Sequence, residues 1–491
     1  MNSKEINPQQ KSAREKFQQI WGYEDFRPPQ GEIIQTLLAG QDALIILPTG
    51  GGKSICFQLP ALLQTGLTLV ISPLVALMEN QVNQLRQLGL SGALLHSELP
   101  RSERQKTLQA IAKQQLSLLY LSPETLLSLP VWSIITQPEI KITGIILDEV
   151  HCLTQWGTTF RPTYRRLGAV RRSLLEHKPT GTKIAIAAFT ATADPQAQQE
   201  ITQALELKQP EKFLISPYRQ NLSLKIKTVW TPRGRKQQML KFIQAHNHQS
   251  GLVYVRSRQD SQTLATWFKS LGYATAAYHA GLVTTARRNI EQGWISGKIQ
   301  FVICTSAFGM GIDKPNVRFV VHYHAPELLA EYVQEIGRAG RDGKPAQALT
   351  LISEPTGLLD PEDKQRSQFF TRKLTQQYRQ AQQLVKQIPN QGNIATIKEQ
   401  FPEGEITLGI LHSLGIVSWQ DPFNYRKQSS SITLDNLANS QKCHQTKMQR
   451  YLRTKHCRWQ YLLQAFGFSQ SAQGFTCGSC DNCQLKRANS L

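Results

Sequence analysis

The stretch Pro48-Thr49-Gly50-Gly51-Gly52-Lys53-Ser54 closes one apolar run and opens a segment of helical period. Glycines let consecutive backbone N–H groups converge on phosphate oxygens, and a following helix N-terminus adds a favourable dipole. In such a P-loop Lys53 reaches the β- and γ-phosphates of a nucleoside triphosphate, and the Ser54 hydroxyl ligates Mg²⁺. Leu47 stands where the general pattern has a glycine, which narrows the motif to its TGxGKS form. A P-loop needs a partner acid for the metal. Asp148 and Glu149 supply adjacent carboxylates at the end of the apolar, β-prone run Ile142 to Leu147. Asp148 fits the metal partner, and Glu149 is set to polarise the attacking water.

Phosphoryl transfer also needs positive charge on the departing γ-phosphate. Gln334 to Arg341 reads QEIGRAGR, and Arg338 and Arg341, three apart, read as one helical face. The acids themselves open the run DEVHCLTQWGTTFRP, Asp148 to Pro162. Trp156, Phe160 and Arg161 there have the chemistry of a base stack, since aromatic rings accept nucleobases of any sequence. A third constellation is Cys477-x-x-Cys480-x-x-Cys483, with Cys457 twenty residues before Cys477. Four thiolates suit a closed, tetrahedral, structural zinc site; a [4Fe–4S] cluster uses the same CxxCxxC spacing. Cys443, His444 and His456 are spare ligands nearby. Gln441 to Gln460 carries six Lys or Arg and no acid, a helix to offer to phosphates.

These residues need scaffolds. Strand-like runs at Ala43 to Leu47, Thr68 to Ser72, Ser117 to Leu121, Ile142 to Leu147 and Lys183 to Ala187 alternate with helical segments. Runs this apolar imply burial on both faces, hence a parallel sheet covered by helices. The pattern restarts at Leu252 to Val255, Ala274 to Tyr278, Phe301 to Thr305, Val317 to His322 and Ala348 to Ile352, with a joint near Gln209 to Asn221. The expected organisation is two α/β units at 1–208 and 209–355, a helical connector at 356–388, a small module at 389–435 and a cysteine module at 436–491. In the small module, Ile406 to Ser413 reads as helix and Ile416 to Trp419 and Phe423 to Lys427 as a ribbon, either a winged helix or an α+β linker.

Global numbers agree. A chain of 491 residues exceeds one ordinary core. The net charge is +21, with 56 Lys and Arg against 35 acids, a field that attracts polyanions. A polar first segment and no apolar run long enough to span a bilayer give the expectation of a cytoplasmic, soluble protein. Cys56, Cys152 and Cys304 stand singly beside apolar runs and read as buried thiols.

Taken in order, PTGGGKS, DEVH, Thr190-Ala191-Thr192, AFGMGIDKPNVRFVVHY from Ala307 to Tyr323, and QEIGRAGRDG resemble superfamily 2 helicases of the RecQ family. The likeness covers about residues 10 to 350 and resumes at the C-terminal cysteines. It implies two RecA-like lobes, ATP, Mg²⁺ and Zn²⁺ as cofactors, single-stranded and partial-duplex DNA as partner, and 3′ to 5′ unwinding in repair and recombination. By the same resemblance Tyr23, Arg27 and Gln30 recognise adenine, and Gln can pair with its N6 and N7. Gly311 and Asp313 lie on the ATP side of lobe two, and His151 links the lobes. Arg341 is the first choice of arginine finger and Arg338 the second. Ser72, Ser122, His279 and Thr305 contact the DNA backbone. Cys152 to Tyr164 is a DNA sensor fused to the hydrolytic acids, and Cys457, Cys477, Cys480 and Cys483 hold zinc.

Departures matter as much. Thr158-Thr159 replaces the family's usual His-Asp, and Val150 its Ala, which implies weaker coupling of DNA to ATP turnover. Longer members carry a winged helix and a helical domain after the zinc site, whereas here the candidate winged helix precedes it, as in shorter bacterial forms. The rival readings are an RNA helicase and a DNA-annealing or fork-binding protein with a regulatory ATPase.

Overall fold

The computed structural model describes residues 8–489 apart from Thr49, 155–160, 309–311 and 429–444. Residues 8–47, 51–215 and 376–428 cluster into one compact unit, and Pro48 and Gly50 with 216–375 and 445–489 into a second.

The first unit is built on seven strands: β1 (Ala43–Ile46), β2 (Leu67–Ile71), β3 (Gly92–Leu95), β4 (Leu118–Leu121), β5 (Ile142–Leu147), β6 (Ala185–Thr190) and β7 (Glu211–Leu214). They form one sheet in the order β3-β4-β2-β5-β6-β1-β7, every neighbouring pair parallel. Successive side chains of a strand face opposite sides, and both sides are dry. Leu44, Leu69, Leu119 and Ile145 pack one face; Ile45, Val70, Tyr120 and Ile146 pack the other. That is why these strands read as unbroken apolar runs.

In this unit two strands escape the sequence reading. β7 is mostly exposed and carries Glu211 and Lys212, so hydrophobicity does not announce it. It pairs with β1, Ala43 opposite Glu211. The first unit therefore extends to residue 215 rather than 208, and part of the expected joint is an edge strand. β3, the opposite edge, was also missed, and β6 begins two residues later than Lys183 and runs on to Thr190.

The second unit repeats the plan with β8 (Leu222–Val229), β9 (Ser250–Tyr254), β10 (Thr275–Tyr278), β11 (Phe301–Cys304), β12 (Val317–His322) and β13 (Ala346–Ser353). The order is β10-β11-β9-β12-β13-β8, again all parallel. The cysteine module is part of this unit's core. The Trp459 indole N–H donates to the Leu222 carbonyl at 3.0 Å, the Ser223 hydroxyl to the Ser479 carbonyl at 2.6 Å, and the Asp481 carboxylate accepts from Ile226 N–H at 2.8 Å.

The small module is not free-standing. The long helix Glu362–Gln387 spans the boundary at residue 375, and the module beyond it folds within the first unit. Its elements are β14 (Gln391–Asn393), helices Ile394–Gln400 and Gly404–Ser413, β15 (Val417–Trp419) and β16 (Asn424–Lys427). The antiparallel sheet has the order β14-β16-β15. A long helix, a strand, two helices across a three-residue turn at 401–403 and a hairpin follow in order, a helix-turn-helix arrangement beside a three-stranded sheet. β14 and the helix Ile394–Gln400, both needed for that pattern, were absent from the sequence reading.

Candidate active site and nucleic-acid interface

In a parallel sheet the strands' C-terminal ends line one edge, and ligands gather there. In the first unit β1 leads into Pro48, β2 into Ser72, β4 into Ser122, β5 into Asp148, and β6 ends on Thr190. In the second unit β10 leads into His279 and β11 into Thr305. The fold thus brings together motif residues as far apart in sequence as Ser54 and Thr190.

The P-loop wraps the start of the helix Lys53–Leu63. Gly50 and Gly52 have φ of +86° and +70°, the left-handed region open to glycine at no steric cost. A Cβ on Gly52 would also meet Gln30 Nε2 at 2.3 Å. Gln30, buried, lies against the loop: its Nε2 faces the carbonyls of Gly51 and Gly52 at 3.4 Å, and its Oε1 accepts from Arg27 N–H at 2.9 Å. Tyr23 and Arg27 are exposed beside it.

Lys53 Nζ stands 4.0 Å from Glu149 Oε1. Asp148 is fixed by its N–H on the Ile71 carbonyl at 2.8 Å, and its Oδ1 accepts from Glu149 N–H at 3.0 Å. Burial and the Glu149 charge push the Asp148 carboxyl up to about 6, with Lys53 opposing. Two buried adjacent carboxylates are costly until a cation neutralises them. The donor chemistry of Ser54 and Asp148 therefore fits Mg²⁺. Glu149 sits at φ +50°, a strained conformation for a non-glycine residue. His151 Nδ1 lies 3.2 Å from Glu149 Oε2 and 3.2 Å from Thr190 Oγ1, so these contacts of its ring fall within the first unit.

Tyr164, which sequence reasoning did not single out, braces the acids. Its hydroxyl, fully buried, donates to the Asp148 carbonyl at 2.8 Å. The next residue, Arg165, donates to the Leu153 carbonyl at 2.9 Å and pairs with Glu200. Arg161 N–H closes the base of the aromatic-rich segment on the Cys152 carbonyl at 3.2 Å. The Arg161 guanidinium donates to the Pro73 carbonyl at 2.8 Å. Arg161 is thus half committed to protein contacts. Thr49, Trp156, Phe160 and Gly311 lie outside the described residues.

Arg338 and Arg341 do not share a helical face. The helix Leu329–Ile336 stops at Gly337, and both arginines occupy the turn beyond, where Gly340 has φ +61°. Asn221 fastens that turn through the Gly340 and Lys344 carbonyls, each at 2.8 Å. Arg341 Nη1 donates to Asp313 at 2.8 Å and to the Ile312 carbonyl at 3.3 Å. Arg338 is 5% exposed. Under the turn, Glu335 accepts from Arg256 at 2.8 Å and faces His322 Nε2 at 3.0 Å. Glu335 and His322 lie inside the motifs QEIGRAGR and AFGMGIDKPNVRFVVHY, whereas Arg256 shows in the sequence only as a lone charge closing the apolar run Leu252 to Val255.

Ser72 is buried and Ser122 caps the helix Pro123–Leu126, accepting from Thr125 N–H at 3.2 Å. His279 Nε2 meets Gln262 Nε2 at 3.0 Å, and burial, reinforced by the Arg258 charge, lowers its pKa. Thr305 N–H donates to the Tyr278 carbonyl at 3.1 Å.

The sulfurs of Cys457, Cys477, Cys480 and Cys483 all lie within 4.8 Å of one another. A tetrahedron with Zn–S bonds of about 2.3 Å has edges of about 3.8 Å, and Cys477 and Cys483 are 4.0 Å apart. A cubane cluster would spread its thiolates over separate irons, so this convergence fits a single ion. Backbone N–H groups of Cys477, Cys480 and Arg458 point at the sulfurs of Cys457, Cys477 and Cys480 at 3.3, 3.3 and 3.5 Å, the hydrogen bonding that thiolate charge favours.

A P-loop with its acids on one parallel-sheet unit, followed by a second such unit bearing an arginine turn, defines a nucleotide-driven helicase class. Residues 27–201 match the DEAD/DEAH box helicase family, 234–343 the helicase conserved C-terminal domain, and 424–484 the RecQ zinc-binding family. The chain is 52% identical over 476 residues to an ATP-dependent DNA helicase RecQ of Synechocystis, covering 97% of this chain and 99% of that one. It is 40% identical over 336 residues to the RecQ helicase of Haemophilus influenzae, covering 68% of this chain and 52% of that protein. Among solved structures, the Mycobacterium smegmatis helicase Lhr bound to ssDNA and AMP-PNP aligns with a TM-score of 0.56 at 18% identity, over 90% of this chain and 62% of that one. The chain belongs to the RecQ family of ATP-dependent DNA helicases. No helix among the described residues is long and apolar enough to cross a membrane.

Proposed function

We propose that this chain is an ATP-driven DNA helicase that moves 3′ to 5′ along a single strand and separates duplexes during repair and recombination. The observation that carries the reading is the convergence of Lys53, Asp148 and Glu149 on the P-loop of a chain 52% identical to a RecQ helicase over nearly its full length. Tyr23, Arg27 and Gln30 hold adenine. Backbone amides of residues 49–54, with Lys53, hold the phosphates. Ser54 and Asp148 would hold Mg²⁺, which when bound neutralises β- and γ-phosphate oxygens. Glu149 orients and polarises the attacking water. Arg341 stabilises the departing phosphoryl group; its guanidinium already has a guide in Asp313. Gly311 completes that loop, and Arg338 supports the turn.

On the nucleic-acid side, Trp156, Phe160 and Arg161 stack on bases, and Ser72, Ser122, His279 and Thr305 meet the backbone. Cys457, Cys477, Cys480 and Cys483 hold a structural zinc that fastens the basic segment 445–458 to the second unit. The protein acts in the cytoplasm, associated with the nucleoid.

The test is steady-state ATP turnover with no nucleic acid, single-stranded DNA or single-stranded RNA, run beside displacement of a 3′-tailed duplex. DNA-specific stimulation with ATP-dependent strand separation is expected. Equal stimulation by RNA would move the reading to an RNA helicase; binding and annealing with no ATP-dependent separation would move it to a fork-binding protein.

A further inference from the structure

The small module's second helix, Gly404–Ser413, follows a three-residue turn after Ile394–Gln400. In helix-turn-helix units the second helix enters the DNA major groove with its N-terminal residues. Here that end carries an acid, Glu405, and it is already engaged. Glu405 Oε1 accepts from the Thr163 hydroxyl at 2.9 Å and from Arg166 Nη1 at 3.2 Å, while Lys398 Nζ holds Oε2 at 2.7 Å. Arg166 Nε donates to the Pro422 carbonyl at 2.7 Å, and its guanidinium lies over the rings of Trp419 and Phe423. Arg172 grips the Trp419 and Gln420 carbonyls at 2.7 and 3.0 Å. Phe423 packs edge-on against Trp132, centroids 5.3 Å apart.

Arg172 and Trp132 dock the module from flanking helices, while the contacts through Thr163 and Arg166 fall on one short turn, Pro162–Arg166. Its neighbouring residues face the other way: Tyr164 holds the Asp148 carbonyl and Arg165 the Leu153 carbonyl. The turn begins where the segment Thr154 to Arg161 ends. One five-residue element therefore touches the hydrolytic acids on one side and the module on the other.

We propose that this helix-turn-helix module does not read DNA with its second helix but braces the DNA-responsive segment, with Glu405 as the positioning residue that acts through Thr163 and Arg166. The proposal rests on the reading of Trp156 and Phe160 as the DNA sensor. A fixed turn lets a displacement arriving at Arg161 reach Asp148 and Glu149 instead of dissipating in a loose connection.

The experiment uses the full chain and single-stranded DNA titrated into a steady-state ATPase assay. Glu405→Ala should leave the DNA-free rate and the KM for ATP within about twofold. It should lower the DNA-stimulated rate, or raise the DNA concentration for half stimulation, by about fivefold or more. Glu405→Gln, which still accepts from Thr163 and Arg166, should retain most of the stimulation. Arg172→Ala, which loosens the same docking through other contacts, should shift stimulation in the same direction even if Glu405→Ala folds poorly. Wild-type stimulation in both docking variants overturns the proposal, as does an equal fall of basal and stimulated rates, which marks a merely structural contact. Trp156→Ala separates the two readings. Loss of stimulation there with none in Glu405→Ala refutes only the brace; full stimulation in Trp156→Ala refutes the sensor and the brace with it.

Discussion

Tyr164→Phe removes one oxygen and leaves the ring's packing in place. The hydroxyl is fully buried and its acceptor is the Asp148 main-chain carbonyl, 2.8 Å away. Without it that carbonyl loses the partner that faces it, and an orphaned buried polar group costs about 1–3 kcal/mol. A unit of this size shifts its melting temperature by about 2–4 °C per kcal/mol, so the apparent Tm should fall by about 2–12 °C in scanning fluorimetry. The functional part is separable. Asp148 and Glu149 are carried by the same backbone, so kcat for DNA-stimulated ATP turnover should fall by up to about tenfold, equivalent to about 1.4 kcal/mol of barrier. The KM for ATP should stay near wild type, because Lys53, Gln30 and the loop amides are untouched. An apparent Tm within about 1 °C of wild type together with an unchanged kcat would refute the claim that this hydroxyl holds the acids.

Lys53→Ala should abolish measurable ATP turnover, a fall of at least about a hundredfold, while single-stranded DNA binding measured by fluorescence anisotropy persists. Arg341→Ala should lower kcat by about a thousandfold or more with little change in ATP binding, and Arg338→Ala should show first as reduced thermal stability, read by scanning fluorimetry. Cys480→Ser should release the zinc, detected by elemental analysis, and lower the melting temperature of the second unit, since Cys480 is buried in that unit's core beside Trp459 and Tyr451. Asp360→Asn should cost about 1–3 kcal/mol in a denaturant titration, because it weakens the shortest ion pair of a fully buried Arg235 while Asp363 at 3.2 Å remains.

Much of the chemistry is local in sequence and was legible there. A P-loop requires its glycines and lysine to be contiguous, so PTGGGKS carries its own geometry; the three CxxCxxC cysteines converge as their spacing implies, and the fold sets Cys457, suggested only by resemblance, beside them. The two sheets were legible because parallel strands buried on both faces must be continuously apolar. β7 was not, since an edge strand with Glu211 and Lys212 has no such constraint. The arginine turn was misread as a helical face because three-residue spacing suits a helix and a turn alike; the helix stops at Gly337, and Gly340 takes a φ of +61° that composition does not weigh. What tertiary structure alone decided is which distant residues meet. Nothing near Tyr164 in sequence names the Asp148 carbonyl as its acceptor. Nothing near Glu405 names Thr163 and Arg166, 242 and 239 residues away. A hydrogen bond depends on three-dimensional approach, and across such separations only the packed fold specifies it.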